Sequence, residues 1–269
     1  MVLGSLTFIG LGLYDATDMS LKAQQTMQQS DQVFAEFYTS KLLGSSIEAI
    51  EEEINQKITV LNRSETEKGN ELINMAKTNH VCFITGGDCM TATTHIDLRL
   101  QAIKQGIKTR VIHGSSIVSA VPGLLGLQHY KFGRTTTIAY PEKEYFPLSP
   151  YTVIFDNKKH NLHSLVLLDI QAEKNRYMTA NEAMQFLQKM EEKKNQRLIT
   201  DDLVIGVVGQ AGSTHPTIRA DTISNLIAED FGPPLHTIVI PGDLHFMEIE
   251  AMEILAGLPS IVASKLQKI

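Results

Sequence analysis

The sequence predicts an α/β fold made of two α/β domains, on three observations. Short aliphatic or β-branched runs alternate with longer amphipathic stretches along the whole chain. Runs such as VCFIT (81–85) are apolar throughout rather than alternating, as in strands buried on both faces of a helix-covered sheet. Glycine turns follow some of these runs, at 10–12 and 86–87, where an α/β sheet gathers its ligands.

Residues 5–10 (SLTFIG) read as the first strand, followed by a glycine turn. A helix over 18–30 follows, with Met19, Ala23 and Met27 four apart on one face. Residues 33–37 form a second strand, and Ser45 or Ser46 caps an acidic helix that runs through Glu53. A strand over 57–61, a helix over 67–78 and a strand over 81–85 come next. The loop GGDCMTATTH (86–95) leads into a helix ending near Gly106, and 109–113 closes a fifth strand. Ser115 or Ser116 caps a short helix, and the stretch 121–132 is rich in glycine. The domain junction falls between His113 and Thr135, giving domains 1–114 and 115–269.

The second half is expected to repeat the pattern with a different mix. Residues 135–140 form a strand, and Pro141, Pro147 and Pro150 mark a loop. A strand over 164–170 precedes a long helix over 179–194, with Thr179 as cap and Glu182 three residues on. A strand over 203–208, a helix over 218–230, a strand over 237–240 and a last clear helix over 248–255 complete the chain. EEKKNQR (191–197) reads as a solvated helix end.

Composition removes several function classes. With 43% hydrophobic and 20% charged residues, the 269-residue chain is an ordinary globular protein. Its 24 basic and 30 acidic residues leave a net charge of −6, the wrong sign for neutralising phosphates, so no nucleic acid is expected as a bulk partner. The most apolar stretch, 117–127, is too short for a membrane span and contains Ser119 and Pro122. No basic residue precedes Lys22, so a signal peptide is not expected and the cytoplasm is the default compartment. The two cysteines, Cys82 and Cys89, do not form a C-x-x-C, and no cysteine zinc site or disulfide scaffold is available. Both are expected as free thiols, Cys82 within a strand and Cys89, in a glycine loop, the more accessible. The nine histidines include His160 and His163 at H-x-x-H spacing, read as surface residues for want of a carboxylate-rich neighbour.

Three stretches carry the chemical interest. GLGLYD (10–15) follows a strand, and Glu36 ends the next one, an arrangement that mimics a dinucleotide fingerprint. The third glycine falls at Asp15, however, and a carboxylate there would repel a diphosphate at the helix N-terminus. That leaves a turn for chain reversal, or a backbone-lined site for a ligand other than an anionic diphosphate. In the second stretch, Gly86-Gly87-Asp88 at a strand end, the carboxylate suits a cation or a ribose hydroxyl; alternatively Asp88 or Thr91 caps the next helix. The third is a set of strand ends at Leu168-Asp169, Gly209 to Gly212 and Pro233 to His236, each weak alone. No G-x-S-x-G elbow, P-loop or H-E-x-x-H occurs.

Taken in order, FIGLGLYD, VFAEFYTS, GD…ATTH, VIH…SI, HYKFG, LLDIQAEK, YMTANEAM, PTIRA and LH (235–236) closely resemble the diphthine synthases, a family of tetrapyrrole-methylase-like methyltransferases. The resemblance covers nearly the whole chain. LLDIQAEK runs almost directly into RYMTANEAM, without the insertion of eukaryotic members, so the chain looks archaeal. The resemblance implies a homodimer and an S-adenosylmethionine site in a cleft between the two domains. It implies no metal. The implied substrate is translation elongation factor 2, at a histidine bearing a 3-amino-3-carboxypropyl group whose amine is methylated repeatedly. Matched motif by motif, the implied cofactor residues are Leu13, Asp88, Thr91, Ser116, Ile117, Leu168, Ala211 and His236. Two positions depart from the family: Cys89 stands where proline is usual after the loop aspartate, and Gln210 where arginine is usual before Ala-Gly.

Methyl transfer from a sulfonium is an in-line displacement, so alignment and exclusion of water can supply much of the catalysis. The attacking amine must first lose a proton, and the sequence designates no base among His95, His113 and His236. The alternatives are a methyltransferase of the same fold for a precorrin-like tetrapyrrole, whose carboxylates would favour a basic cleft, an NAD-dependent oxidoreductase, and a non-enzymatic binding module. The apolar stretch 117–127 at the domain junction would be costly to expose and is expected to be covered in a dimer.

Overall fold

The computed structural model describes residues 4–143 and 145–266. They divide into two compact units, one reaching Ile117 and including 172–174, the other made of 118–171 and 175 onward. No helix among the described residues is long and apolar enough to cross a membrane.

In the first unit, β1 (Ser5–Gly10), β2 (Gln32–Glu36), β3 (Ile58–Val60), β4 (His80–Thr85) and β5 (Lys108–Ile112) form a wholly parallel sheet in the order β3-β2-β4-β1-β5. Its strands read as continuous apolar runs because both faces are buried. Leu6, Phe8, Phe34, Val81 and Phe83 pack on one side with Leu72, Ile73, Leu98 and Ala102. Their strand neighbours Ile9, Val33, Ala35, Cys82 and Ile84 pack on the other with Ala23, Met27, Ile50 and Ile54.

The helices follow their caps. The first, α1 (Leu21–Gln28), starts later than its periodicity suggests because Ser20 accepts from Ala23 N, after a 3₁₀ turn at Ala16–Asp18. Ser46 caps α2 (Ile47–Ile54) in the same way. The single helix expected over 67–78 is two, α3 (Arg63–Lys68) and α4 (Asn70–Met75). Asn62 and Glu65 make a capping box ahead of α3, and Gly69, at φ 64°, ends it in the left-handed region. Next come α5 (His95–Lys104) and α6 (Ile117–Leu125), the latter beginning directly after Ser116.

The second unit contains β6 (Thr136–Ile138), α7 (Ser149–Lys159), β7 (Ser164–Leu168), β8 (Ile170–Gln171), β9 (Arg176–Tyr177), α8 (Ala180–Lys194), β10 (Val204–Gly209), β11 (Thr217–Thr222), α9 (Ile223–Leu226), β12 (His236–Ile240), α10 (Phe246–Ala256) and α11 (Ser260–Leu266). Its sheet runs β11-β10-β12-β7-β6 and is antiparallel except between β6 and β7, so it does not repeat the parallel pattern of the first half. Around Val166, Val207 and Ile238 the core gathers Tyr151, Ile154, Met184 and Leu187 from α7 and α8. Thr179 and Glu182 form the expected capping box on α8.

Four sequence expectations fail here for identifiable reasons. Residues 218–230 are not one helix: TIRADT pairs antiparallel with β10, since β-branched residues fit a pleated edge strand better than a helix, and only the short α9 at 223–226 is helical. Pro150 does not mark a loop but sits in the first turn of α7, where its missing N–H costs nothing. His163 is not a surface residue. It is fully buried, with Nδ1 accepting from Gly242 N at 2.9 Å and Nε2 donating to Glu248 Oε1 at 3.0 Å. The carboxylate it needed lies 85 residues away in sequence. Finally, the stretch 117–127 does not offer its apolar residues wholesale to a partner, since Val121, Pro122, Leu125 and Leu127 are buried.

Candidate functional site

The carboxyl edge of the first sheet brings three loops together. Gly12 and Gly87 form an isolated antiparallel bridge, Gly12 N donating to Gly87 O at 3.2 Å and Gly87 N to Gly12 O at 2.6 Å. A Cβ on Gly10 would stand 2.5 Å from Gly87 O and 2.6 Å from Gly114 N, so the turns after β1, β4 and β5 approach too closely for a side chain there. Gly12 has φ +94° and lies against Asp18, which closes the first turn.

Asp18 also decides what that turn can bind. Its Oδ2 accepts from Leu13 N at 3.2 Å and Tyr14 N at 2.6 Å. The backbone donors that would cradle a diphosphate are therefore already occupied by a carboxylate. Glu36, the acid of the apparent fingerprint, is fully buried and accepts from Tyr38 N, Thr39 N and the hydroxyls of Thr39 and Thr85. It is turned into its own strand end, and a dinucleotide reading has neither its anion cradle nor its ribose acid.

Asp88 is 7% exposed. It accepts from Met90 N at 2.9 Å and Thr91 Oγ1 at 3.1 Å, and it pairs with His113 Nδ1 at 2.7 Å. Burial pushes its carboxyl up, but these hydrogen bonds outweigh burial and hold it below the usual aspartate value. Asp88 and Thr91 thus shape one loop jointly, while Leu13, Ser116 and Ile117 are half-buried beside the same sheet edge.

In the second unit, β7 and β10 run alike and β12 runs against both, so Leu168, Ala211 and His236 share one sheet edge. Leu168 is buried, and Ala211 follows Gln210, which takes φ 53° in the turn after β10. His236, 7% exposed, accepts from Ala180 N on Nδ1 at 3.2 Å, which places its proton on Nε2. That buried Nε2 has no hydrogen-bond partner. Burial lowers the imidazole's pKa against the opposing pull of the backbone at 231–233, so a neutral ring whose Nε2 donor lacks an aligned acceptor sits at this edge. Sequence reasoning had no signal for that orphan, because the partner of Nδ1 is a backbone amide 56 residues away.

Both cysteines are free. Cys89 is fully buried, no more accessible than Cys82, because it packs with Leu6, Phe8 and Leu98 rather than pointing out of its loop. Burial pushes the thiols up to about 11 for Cys82 and about 12 for Cys89. Among the described residues, no group of three His, Cys, Asp or Glu side chains is placed to hold a metal ion.

Residues 5–227 match the family model of tetrapyrrole (corrin/porphyrin) methylases. The chain is 48% identical over 261 residues to the diphthine synthase of Methanothermobacter thermautotrophicus, covering 97% of this chain and 99% of that protein. It is 46% identical over 251 residues to that of Methanosphaera stadtmanae, covering 93% and 95%. A crystal structure of diphthine synthase superimposes with a TM-score of 0.87 at 37% identity, over 96% of this chain and 98% of that one. On sequence and structure alike, the chain belongs to the tetrapyrrole methylases and, within them, to the diphthine synthases.

Proposed function

We propose that this protein uses S-adenosylmethionine to methylate repeatedly the amino group of the 3-amino-3-carboxypropyl-histidine of translation elongation factor 2. The observation that carries this reading is the joined edge of the first sheet. The Gly12–Gly87 bridge locks together two loops, and in the first of them Asp18 already occupies the Leu13 and Tyr14 amides that would cradle a diphosphate, which favours a ligand that is not a diphosphate. The residues assigned to the cofactor are Leu13, Asp88, Thr91, Ser116, Ile117, Leu168, Ala211 and His236.

The residues fit that cofactor. Its sulfonium supplies the methyl group and leaves as an uncharged thioether, so the site needs alignment more than acid catalysis. His236 keeps one buried donor unmatched, which a polar group of the cofactor would satisfy. Asp88, ionised and held by three partners, adds negative charge near a cationic ligand. A base for the amine is not assigned, since solvent can take the proton before each transfer. The precorrin-like alternative has only the broader family in its favour.

A protein substrate presented as one modified side chain must leave the rest of the factor outside the site. Remote contacts then supply positioning energy, and the isolated modified amino acid should be a poor substrate. Mass spectrometry of elongation factor 2 carrying the 3-amino-3-carboxypropyl group, after incubation with this protein and S-adenosylmethionine, tests the reading. Successive gains of one methyl mass at the histidine are expected, with much slower turnover of the free amino acid. An unmodified factor would refute it. The protein is assigned to the cytoplasm, where this factor works, and to a homodimer. Exposed Ile254 and Leu255 of α10 and Ile261 of α11 favour the dimer.

A further inference from the structure

One buried carboxylate grips the Asp88 loop at both ends. Glu36, at the carboxyl end of β2, accepts from Thr85 Oγ1 at 2.5 Å, the last residue before Gly86. Its Oε1 also lies 3.3 Å from Nε2 of His95, the first residue of α5 after the loop. That approach is a close contact rather than an aligned hydrogen bond, and it leaves Nε2 without a directed partner. His95 is 1% exposed and stands edge-on to Phe83, with ring centroids 5.0 Å apart. Its other nitrogen, Nδ1, lies 2.9 Å from the carbonyl oxygen of Cys89, in the middle of the loop. Thr93 Oγ1 donates to the same carbonyl at 3.0 Å.

Between β4 and α5 the loop has little regular backbone bonding of its own. Gly87 pairs with Gly12, Thr91 N reaches Asp88 O at 3.3 Å, and Ala92 takes φ 57°. Thr91 and Thr93 are half-buried, and Ala92 and Thr94 are exposed. The side chains of Glu36 and His95 therefore supply what the backbone does not. They fix where Cys89 sits, and Cys89 adjoins Asp88.

We propose that His95 is a positioning residue of the cofactor site: packed edge-on to Phe83 and close beside Glu36, it holds the Cys89 carbonyl through Nδ1 and so sets the loop that presents Asp88 and Thr91. This rests on the cofactor reading above, and it assigns His95 no contact with the reacting atoms. Releasing the loop costs cofactor affinity, while bound cofactor still reacts at close to the normal rate.

The two thiols make the test internal. Cys89 is buried only while the loop is seated, whereas Cys82 is buried in β4 at the centre of the sheet. His95→Phe keeps the packing on Phe83 and removes both ring nitrogens, leaving Glu36 its other partners. His95→Asn retains an amide donor near the Nδ1 position. Native protein is treated with iodoacetamide, and each cysteine peptide is followed by mass spectrometry, alongside calorimetric titration with S-adenosylhomocysteine and steady-state kinetics. For His95→Phe, Cys89 alkylation should accelerate at least about tenfold with Cys82 unchanged, since local opening exposes one segment without global unfolding. Its Kd for S-adenosylhomocysteine and KM for S-adenosylmethionine should each rise about tenfold, while kcat at saturation stays within about twofold. His95→Asn should recover part of both effects, and saturating S-adenosylhomocysteine should restore Cys89 protection. Alkylation of both cysteines in step would mean general destabilisation and overturn the proposal, as would unchanged Cys89 protection or a fall in kcat alone. If the wild type binds no S-adenosylhomocysteine, the cofactor reading and the cofactor part of this proposal both fall. The ratio of the two alkylation rates then decides whether His95 seats the loop at all.

Discussion

Replacing Glu248 with glutamine should remove about 3 kcal/mol of stability at neutral pH and almost none in strong acid. Glu248 is 1% exposed at the start of α10, yet its carboxylate is ionised and fully engaged. It accepts from Gln128 N at 2.8 Å, His245 N at 2.8 Å and His163 Nε2 at 3.0 Å, and it pairs with Lys131 Nζ. Burial opposes the charge, but these donors outweigh it and bring the carboxyl down from 4.5 to about 2. At about 1.4 kcal/mol per pH unit, that gap is worth about 3 kcal/mol of folding free energy. Because the folded pKa lies below the unfolded one, the contribution is complete above about pH 5. It is lost progressively as the pH falls from the unfolded value toward about 2. Glutamine keeps the shape but cannot carry the charge that Lys131 needs, and Lys131 is then left paired only to the Asp243 carbonyl. Urea denaturation of wild type and Glu248→Gln at steps between pH 7 and pH 3 measures the difference directly. It should hold from pH 7 to about pH 5 and then shrink toward pH 3. A difference that stays constant with pH, or that is below about 1 kcal/mol at pH 7, would refute the assignment of the stability to this ionised group.

Asp88→Ala removes the acceptor shared by Met90, Thr91 and His113, and should weaken S-adenosylhomocysteine binding about tenfold by calorimetry; unchanged affinity would remove Asp88 from the site. Thr179→Ala deletes the hydroxyl that accepts from Glu182 N at 3.2 Å and should cost about 1 kcal/mol in thermal or urea unfolding, without altering cofactor affinity. Alkylation without reductant should find both thiols free, reacting slowly in the native protein and rapidly in urea, and an intact bridge would contradict the structure. Light scattering at micromolar concentration should return the mass of a dimer, and Ile254→Glu with Ile261→Glu should shift it to a monomer; a wild-type monomer would exclude the assembly.

By itself the sequence determined what depends on neighbours along the chain. Unbroken apolar runs marked the buried parallel strands, because a strand covered on both faces has no side to leave polar. Thr179 with Glu182 marked a helix start, because a capping box closes within four residues. Glycines at 10, 12, 86 and 87 marked the sheet edge where loops converge, and the ordered motifs carried the family. The tertiary structure alone decided whatever depends on partners remote in sequence. TIRADT became a strand because β10 offered its edge, an opportunity no local pattern records. His163 went into the core because Glu248 meets it there, and Cys89 was buried by residues from β1 and α5. Asp18 claimed the amides of the first glycine turn, Glu36 clamped the ends of the second, and His236 was left with a free donor. Hydrogen bonds and ion pairs act over about 3 Å in space, whatever the separation along the chain. Only folding can therefore say which polar groups are satisfied by the protein and which are left for a ligand.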